Sequence, residues 1–169
     1  MAFRTVARHK VLGLLFGLCF LTTHCFAEED NTELEDEVSE ETVGAQNLLQ
    51  FGGMILCTTR RNPLDYNNYG CYCGKGGSGR AVDGVDRCCE THDRCYSNAI
   101  KNHGCPSWYV YVASYNAVCT RCLPLWSYGF HHRRKCKHAV CQCDSEAAKC
   151  FARNTYNRSY KGYDKKKNC

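Results

Sequence analysis

Three stretches of this chain read as helices, two by the spacing of their apolar residues and one by its freedom from helix breakers. In NLLQFGGMILC, Asn47 to Cys57, they fall at 48, 49, 51, 54, 55 and 56, which predicts a short amphipathic helix that Gly52 and Gly53 weaken. The run from Val85 to about Lys101 has no proline or glycine, follows two candidate caps, Asp83 and Asp86, and stops before Gly104-Cys105-Pro106; it predicts a long helix. Cys136 to Arg153 is again free of proline and glycine, with Ala139, Val140, Cys143, Ala147 and Cys150 on one side, and predicts a second long helix. Between the helices, WYVYV (Trp108 to Val112) is aromatic and β-branched and predicts a strand or one wing of a small hairpin. The glycine-rich YGCYCGKGGSGR, residues 69–80, predicts an irregular loop, and the polar tail from Asn154 predicts irregular structure held by Cys169 if that residue is bridged.

The amino-terminal pattern is different. Arg4, Arg8 and Lys10 precede the apolar run Val11 to Leu21, which is short for a membrane span, and Ala27 suits cleavage. Residues 1–27 are therefore expected to be a secretory signal peptide. Residues 28–46 hold nine acidic residues and no basic one, and are expected to be an acidic propeptide or arm outside the core. The domain proper is then residues 47–169. Taking the three basic and nine acidic residues of positions 1–46 from the totals of 22 and 17 leaves 19 against 8, a balance of +11 that favours anionic partners.

With Cys19 and Cys25 in the leader, fourteen of the 16 cysteines remain, enough for seven disulfides in a secreted chain. Cys71-Tyr72-Cys73 and Cys141-Gln142-Cys143 have CxC rather than the CxxC spacing of zinc ribbons, so oxidation is favoured over structural zinc. Asn157-Arg158-Ser159 is a glycosylation sequon, a short motif of low specificity.

The densest chemistry lies in CCETHDRCY, Cys88 to Tyr96. On a helix its three cysteines, His92, Asp93 and Tyr96 share an arc of about 160°. A lone His-Asp pair is more often structural than catalytic, but two neighbours alter that balance. The glycine loop offers converging backbone carbonyls, the oxygen ligands calcium favours, and Asp93 would add a carboxylate; a plain turn is the competing reading, and the spacing is not that of a phosphate-binding loop. Asp144, after Cys141-Gln142-Cys143, could orient the His92 imidazole so that its other nitrogen activates water.

YGCYCGKGGSG, DRCCETHDRCY and CQCD, with NLLQFGGMILC and DYNNYGCYCG, closely resemble the secreted phospholipase A2 family over nearly all of 47–169. The resemblance implies a mainly α, disulfide-rich fold of two long antiparallel helices, an N-terminal helix, a calcium loop and a small β-wing. It implies Ca²⁺-dependent hydrolysis of the sn-2 ester of glycerophospholipids at membrane surfaces or micelles, with anionic interfaces favoured by the charge, and no nucleic acid or obligate protein partner. By matching positions, His92 is the general base, Asp144 orients it, and Asp93 binds calcium with the carbonyls of Tyr72, Gly74 and Gly76. Tyr96 joins the network around Asp144, Tyr109 is the best-fitting second network tyrosine with Tyr111 close by, and Gln50 helps hold the mature amino terminus. The implied disulfides are Cys73–Cys89, Cys88–Cys150, Cys95–Cys143, Cys105–Cys136 and Cys71–Cys169, leaving Cys57, Cys119, Cys122 and Cys141 for two more, with Cys57 expected on Cys119 or Cys122.

Cys119 and Cys122 stand closer together than the family pattern there. The stretch LPLWSYGFHHRRKCKH is expected either to insert Trp126, Tyr128 and Phe130 into an interface with Arg133, Arg134 and Lys135 on headgroups, or to be a solvated charged loop. Leu48 and Leu49 are either lipid-facing or core, and Lys165-Lys166-Lys167 reads as a solvated tail. A non-enzymatic binder or toxin of the same fold is the alternative function; digestive, defensive and venom roles all suit a basic secreted enzyme.

Overall fold

The computed structural model describes residues 47–169. The expected signal peptide and acidic arm lie outside the described residues. Residues 47–59 form helix α1, slightly longer than its sequence pattern. Met54 and Ile55 enter the core from it, whereas Leu48 and Leu49 are 71% and 72% exposed, which decides against burial of that pair.

Helix α2 spans Gly84–His103. Asp83 starts it by accepting the Asp86 amide (2.8 Å), and Gly104, in the left-handed conformation at φ 67°, ends it. Lys101 sits in the last turn, where positive charge suits the helix dipole. The Tyr69 hydroxyl also binds Asp83 and accepts the Asn157 amide (3.1 Å), tying this cap to the C-terminal segment.

Helix α3 spans Arg134–Ala152 and buries Cys136, Val140, Cys143, Ala147 and Phe151 along one stripe. Cys88–Cys150 and Cys95–Cys143 join α2 to α3 with opposite sequence direction, so the two helices are antiparallel. Cys73–Cys89 draws the glycine loop onto α2, Cys105–Cys136 ties the end of α2 to the start of α3, and Cys71–Cys169 closes the tail onto the loop. The remaining pairs are Cys57–Cys119 and Cys122–Cys141. Every cysteine of the two CxC motifs is therefore in a disulfide, and none is free for zinc.

The wing is elsewhere than WYVYV suggests. Tyr109–Tyr111 is a turn of 3₁₀ helix, with Tyr109 and Tyr111 amides donating to Pro106 and Trp108 carbonyls. Burial selects only Val110 from this stretch, so there is no alternating face for a strand to bury. The hairpin is β1 (Ala117–Val118) and β2 (Arg121–Cys122), antiparallel with Ala117 opposite Cys122, and Cys119 takes a positive φ of 51° at its turn. The tail is more ordered than its composition suggests. It holds a 3₁₀ turn at Arg158–Tyr160, capped by the Asn157 side chain, and a four-residue helix α4, Lys165–Asn168, capped by Asp164. No described helix is long and apolar enough to cross a membrane.

Candidate active site

Asp144, on α3, is fully buried. A carboxylate taken out of water must recover its hydrogen bonds from protein donors, and three converge on it. Its Oδ1 is 2.7 Å from His92 Nε2 and accepts the Tyr96 hydroxyl at 2.7 Å, while Oδ2 accepts the Tyr115 hydroxyl at 2.6 Å. Burial first, then the neighbouring Asp144 charge and the hydrogen bond to it, pushes both phenols upward, so they remain donors. The acceptor-only carboxylate assigns the proton of a neutral His92 imidazole to Nε2 and leaves Nδ1 as the acceptor. Among the described residues no protein group hydrogen-bonds that Nδ1.

His92 is fixed from two more sides. Phe51 of α1 stacks on its ring, with centroids 4.8 Å apart and planes 14° from parallel. Tyr96, one turn along α2, packs at 4.3 Å. Disulfides at Cys88, Cys89 and Cys95 hold the same helix face. The imidazole thus has one orientation, with a free nitrogen and a side-chain exposure of 13%.

Tyr115 rather than Tyr109 is the second tyrosine on Asp144. Tyr109 instead lies beneath the Arg133 guanidinium, 4.7 Å from its ring centroid. The physical reason is the 3₁₀ turn at Tyr109–Tyr111, which buries Val110 while the chain continues to Tyr115, 2% exposed. Gln50 holds that second tyrosine in place: its Nε2 donates to the Tyr115 carbonyl (2.6 Å) and its Oε1 accepts the Tyr115 amide (3.1 Å).

Asp93 follows His92, about 100° further round the helix, and faces the glycine loop. A Cβ on Gly77 would come within 3.0 Å of Asp93 Oδ2 and 2.4 Å of the Tyr72 ring, so only glycine permits this approach of loop to carboxylate. Burial raises the Asp93 pKa, against the lowering influence of His92 and Lys165. The start of the loop is anchored by a residue whose sequence reading was only that of a possible helix cap. Asp86 is fully buried and accepts the amides of Cys71 (2.8 Å), Tyr72 (2.7 Å) and Val82 (2.9 Å). A carboxylate three residues into a helix looks like ordinary capping chemistry, and nothing in the sequence distinguishes it from Asp83.

Among the described residues no three His, Cys, Asp or Glu side chains cluster as a metal site. A cation here must rely on backbone oxygen. Lys165 Nζ demonstrates that this oxygen is accessible to positive charge, donating to the carbonyls of Cys73 (3.1 Å) and Gly76 (3.3 Å). One carboxylate with neutral carbonyls is a hard-oxygen donor set, which fits calcium.

A family model for phospholipase A2 matches residues 48–161. The chain belongs to the phospholipase A2 family. An acidic phospholipase A2 of Micrurus dumerilii is 47% identical over 112 residues, 66% of this chain and 90% of the relative. Two proteins of Acanthaster planci, phospholipase A2 AP-PLA2-I and AP-PLA2-II, are 44% and 41% identical, covering 72% and 75% of this chain and 86% and 89% of their own lengths. As a member of the phospholipase A2 family it is an enzyme of that type. Its fold, with two long disulfide-joined helices and a small hairpin, is the family's mainly α architecture.

The aromatic-basic stretch divides in this phospholipase A2. Trp126 is 78% exposed and Phe130 fully exposed, while Tyr128 is half-buried and its hydroxyl accepts the Asn116 amide (3.1 Å). Tyr128 is therefore part of the scaffold and not a free aromatic tip. Arg133 lies over the rings of Tyr109 and Trp108, and Arg134 donates to the Gly129 carbonyl (3.1 Å).

Proposed function

We propose that this chain is a secreted, calcium-dependent phospholipase A2 that hydrolyses the sn-2 ester of glycerophospholipids, releasing a fatty acid and a lysophospholipid. The observation that carries the reading is the His92–Asp144 pair, with Nε2 engaged on a buried carboxylate and Nδ1 left as an acceptor. His92 Nδ1 takes a proton from a water molecule as its oxygen attacks the sn-2 carbonyl carbon. Asp144, Tyr96 and Tyr115 hold the resulting imidazolium in place and stabilise its charge. The same nitrogen then returns the proton to the departing glycerol oxygen as the ester C–O bond breaks, so the base is regenerated and water is the only co-reactant.

Asp93 and the carbonyls of Tyr72, Gly74 and Gly76 would hold the calcium ion. When bound, calcium supplies Lewis acidity toward the ester carbonyl and the negative charge that develops on it. Cys73–Cys89 and the Asp86 cradle support this assignment, since they hold the loop against the helix that carries Asp93.

Interfacial action is supported by exposed apolar side chains at Leu48, Leu49, Trp126 and Phe130, on a domain with a balance of +11. The seven disulfides among the described residues suit an oxidising, extracellular setting.

The test is fatty-acid release from mixed phospholipid vesicles, with calcium or with chelator, by the parent protein and His92→Gln. The parent should release fatty acid only with calcium, and His92→Gln should lose about 10²–10⁴-fold in rate while keeping its calcium affinity. Equal release in chelator would refute the metal assignment, and unchanged turnover by His92→Gln would refute the base.

A further inference from the structure

The tail lies against the loop assigned to calcium. Cys169 is bonded to Cys71, and a Cβ on Gly79 would lie 2.2 Å from the Cys169 carbonyl oxygen, so loop and tail are in direct contact. Asp164 starts α4 by accepting the Lys167 amide (3.2 Å), which fixes where the three consecutive lysines point. Only the first turns inward. Lys165 is half-buried with its ammonium on the Cys73 and Gly76 carbonyls, whereas Lys166 and Lys167 are exposed and their ammonium groups bond no protein acceptor among the described residues. Lys165 also lies beyond residues 48–161, the part matched by the family model.

From this contact we propose that Lys165 is a built-in competitor for the calcium loop, its ammonium occupying the Gly76 carbonyl when the ion is absent and withdrawing from it when calcium binds. The inference rests on the calcium assignment under the proposed function. Calcium sits 2.3–2.6 Å from its oxygen ligands, and an ammonium hydrogen-bonded to one of those ligands would be held close to a divalent cation. Repulsion between the two charges in a partly shielded site makes simultaneous occupancy unfavourable. The ammonium has a second effect. It compensates the loop carbonyls and the Asp93 carboxylate before calcium arrives, so the empty loop keeps its shape. Calcium affinity is then a difference: the ion's own binding less the contact it displaces. Mobility of the Lys165 side chain becomes linked to metal occupancy, although the disulfide at Cys169 keeps the tail attached.

The experiment titrates calcium into the mature protein and into Lys165→Met and Lys166→Met by calorimetry, and measures thermal unfolding of each in chelator. Lys166→Met removes the same charge from an exposed site and controls for the overall field. Lys165→Met should bind calcium on the order of tenfold more tightly, from loss of one positive charge beside a divalent ion. It should also melt below the parent in chelator. Lys166→Met should stay within about twofold of the parent, because an exposed charge is screened. Unchanged or weaker calcium binding by Lys165→Met overturns the proposal, as does an equal gain in Lys166→Met. If the parent itself binds no calcium, the metal assignment falls and takes this inference with it. If the parent binds and Lys165→Met binds no better, the inference alone falls.

Discussion

Replacing Asp86 by asparagine changes one oxygen to an amide nitrogen at a fully buried position, and its consequences follow from the hydrogen bonds. Oδ2 of Asp86 accepts two amides, Cys71 at 2.8 Å and Val82 at 2.9 Å, and Oδ1 accepts Tyr72 at 2.7 Å. Asparagine has one acceptor oxygen. If that oxygen takes the place of Oδ2, the side-chain NH₂ faces the Tyr72 N–H, donor against donor; the opposite flip orphans two amides. The better arrangement leaves one buried N–H unsatisfied, at about 1–3 kcal/mol, and turns two charge-assisted bonds into neutral ones, at about 1 kcal/mol each. Asp86→Asn should therefore lose roughly 3–5 kcal/mol. Guanidinium unfolding with the disulfides intact measures this as a lower midpoint with an unchanged slope. Calcium titration of the same variant should show weaker binding, because the displaced amides open the loop whose carbonyls would ligate the ion. A loss below about 1 kcal/mol would refute the reasoning, since it would mean that the carboxylate's charge and second acceptor contribute little to holding the loop.

Tyr115→Phe should cost about 1.5–3 kcal/mol in the same unfolding assay and slow lipid hydrolysis, because it leaves a buried oxygen of Asp144 without its hydroxyl donor. Tyr109→Phe should stay within about 0.5 kcal/mol of the parent, and the reverse order of effects would refute the assignment of the second network tyrosine. Calcium affinity should fall on acidification with a midpoint above the ordinary aspartate value, because burial raises the Asp93 pKa and protons compete for the carboxylate. The sign for stability is opposite: without calcium, a raised carboxylate pKa stabilises the fold at low pH, and that contribution is lost as pH rises through the folded value. Calorimetric calcium titrations at stepped pH check this, and a flat affinity down to about pH 4 would contradict it.

Local periodicity determined most of the helical framework. The apolar spacing of α1 and α3 and the absence of helix breakers in α2 are properties of neighbouring residues, so their positions were legible to within a few residues. The same holds for the division of labour between His92 and Asp93: adjacent residues on a helix diverge by about 100°, which separates a side chain facing Asp144 from one facing the glycine loop. Asp144 was legible as the partner of His92, but the tertiary structure alone decided several of the other distant groups around these positions. Tyr109, Tyr111 and Tyr115 are equivalent as residues, and only the 3₁₀ turn and the Gln50 clamp deliver Tyr115 to Asp144. Asp83 and Asp86 both read as caps, yet one caps α2 and the other is buried beneath three amides from the loop. Three consecutive lysines read as a solvated run, yet the Cys71–Cys169 bond and the Asp164 cap bring only Lys165 onto the loop carbonyls. A hydrogen bond between residues dozens of positions apart depends on where several elements pack at once, and that information is carried by no short stretch of the chain.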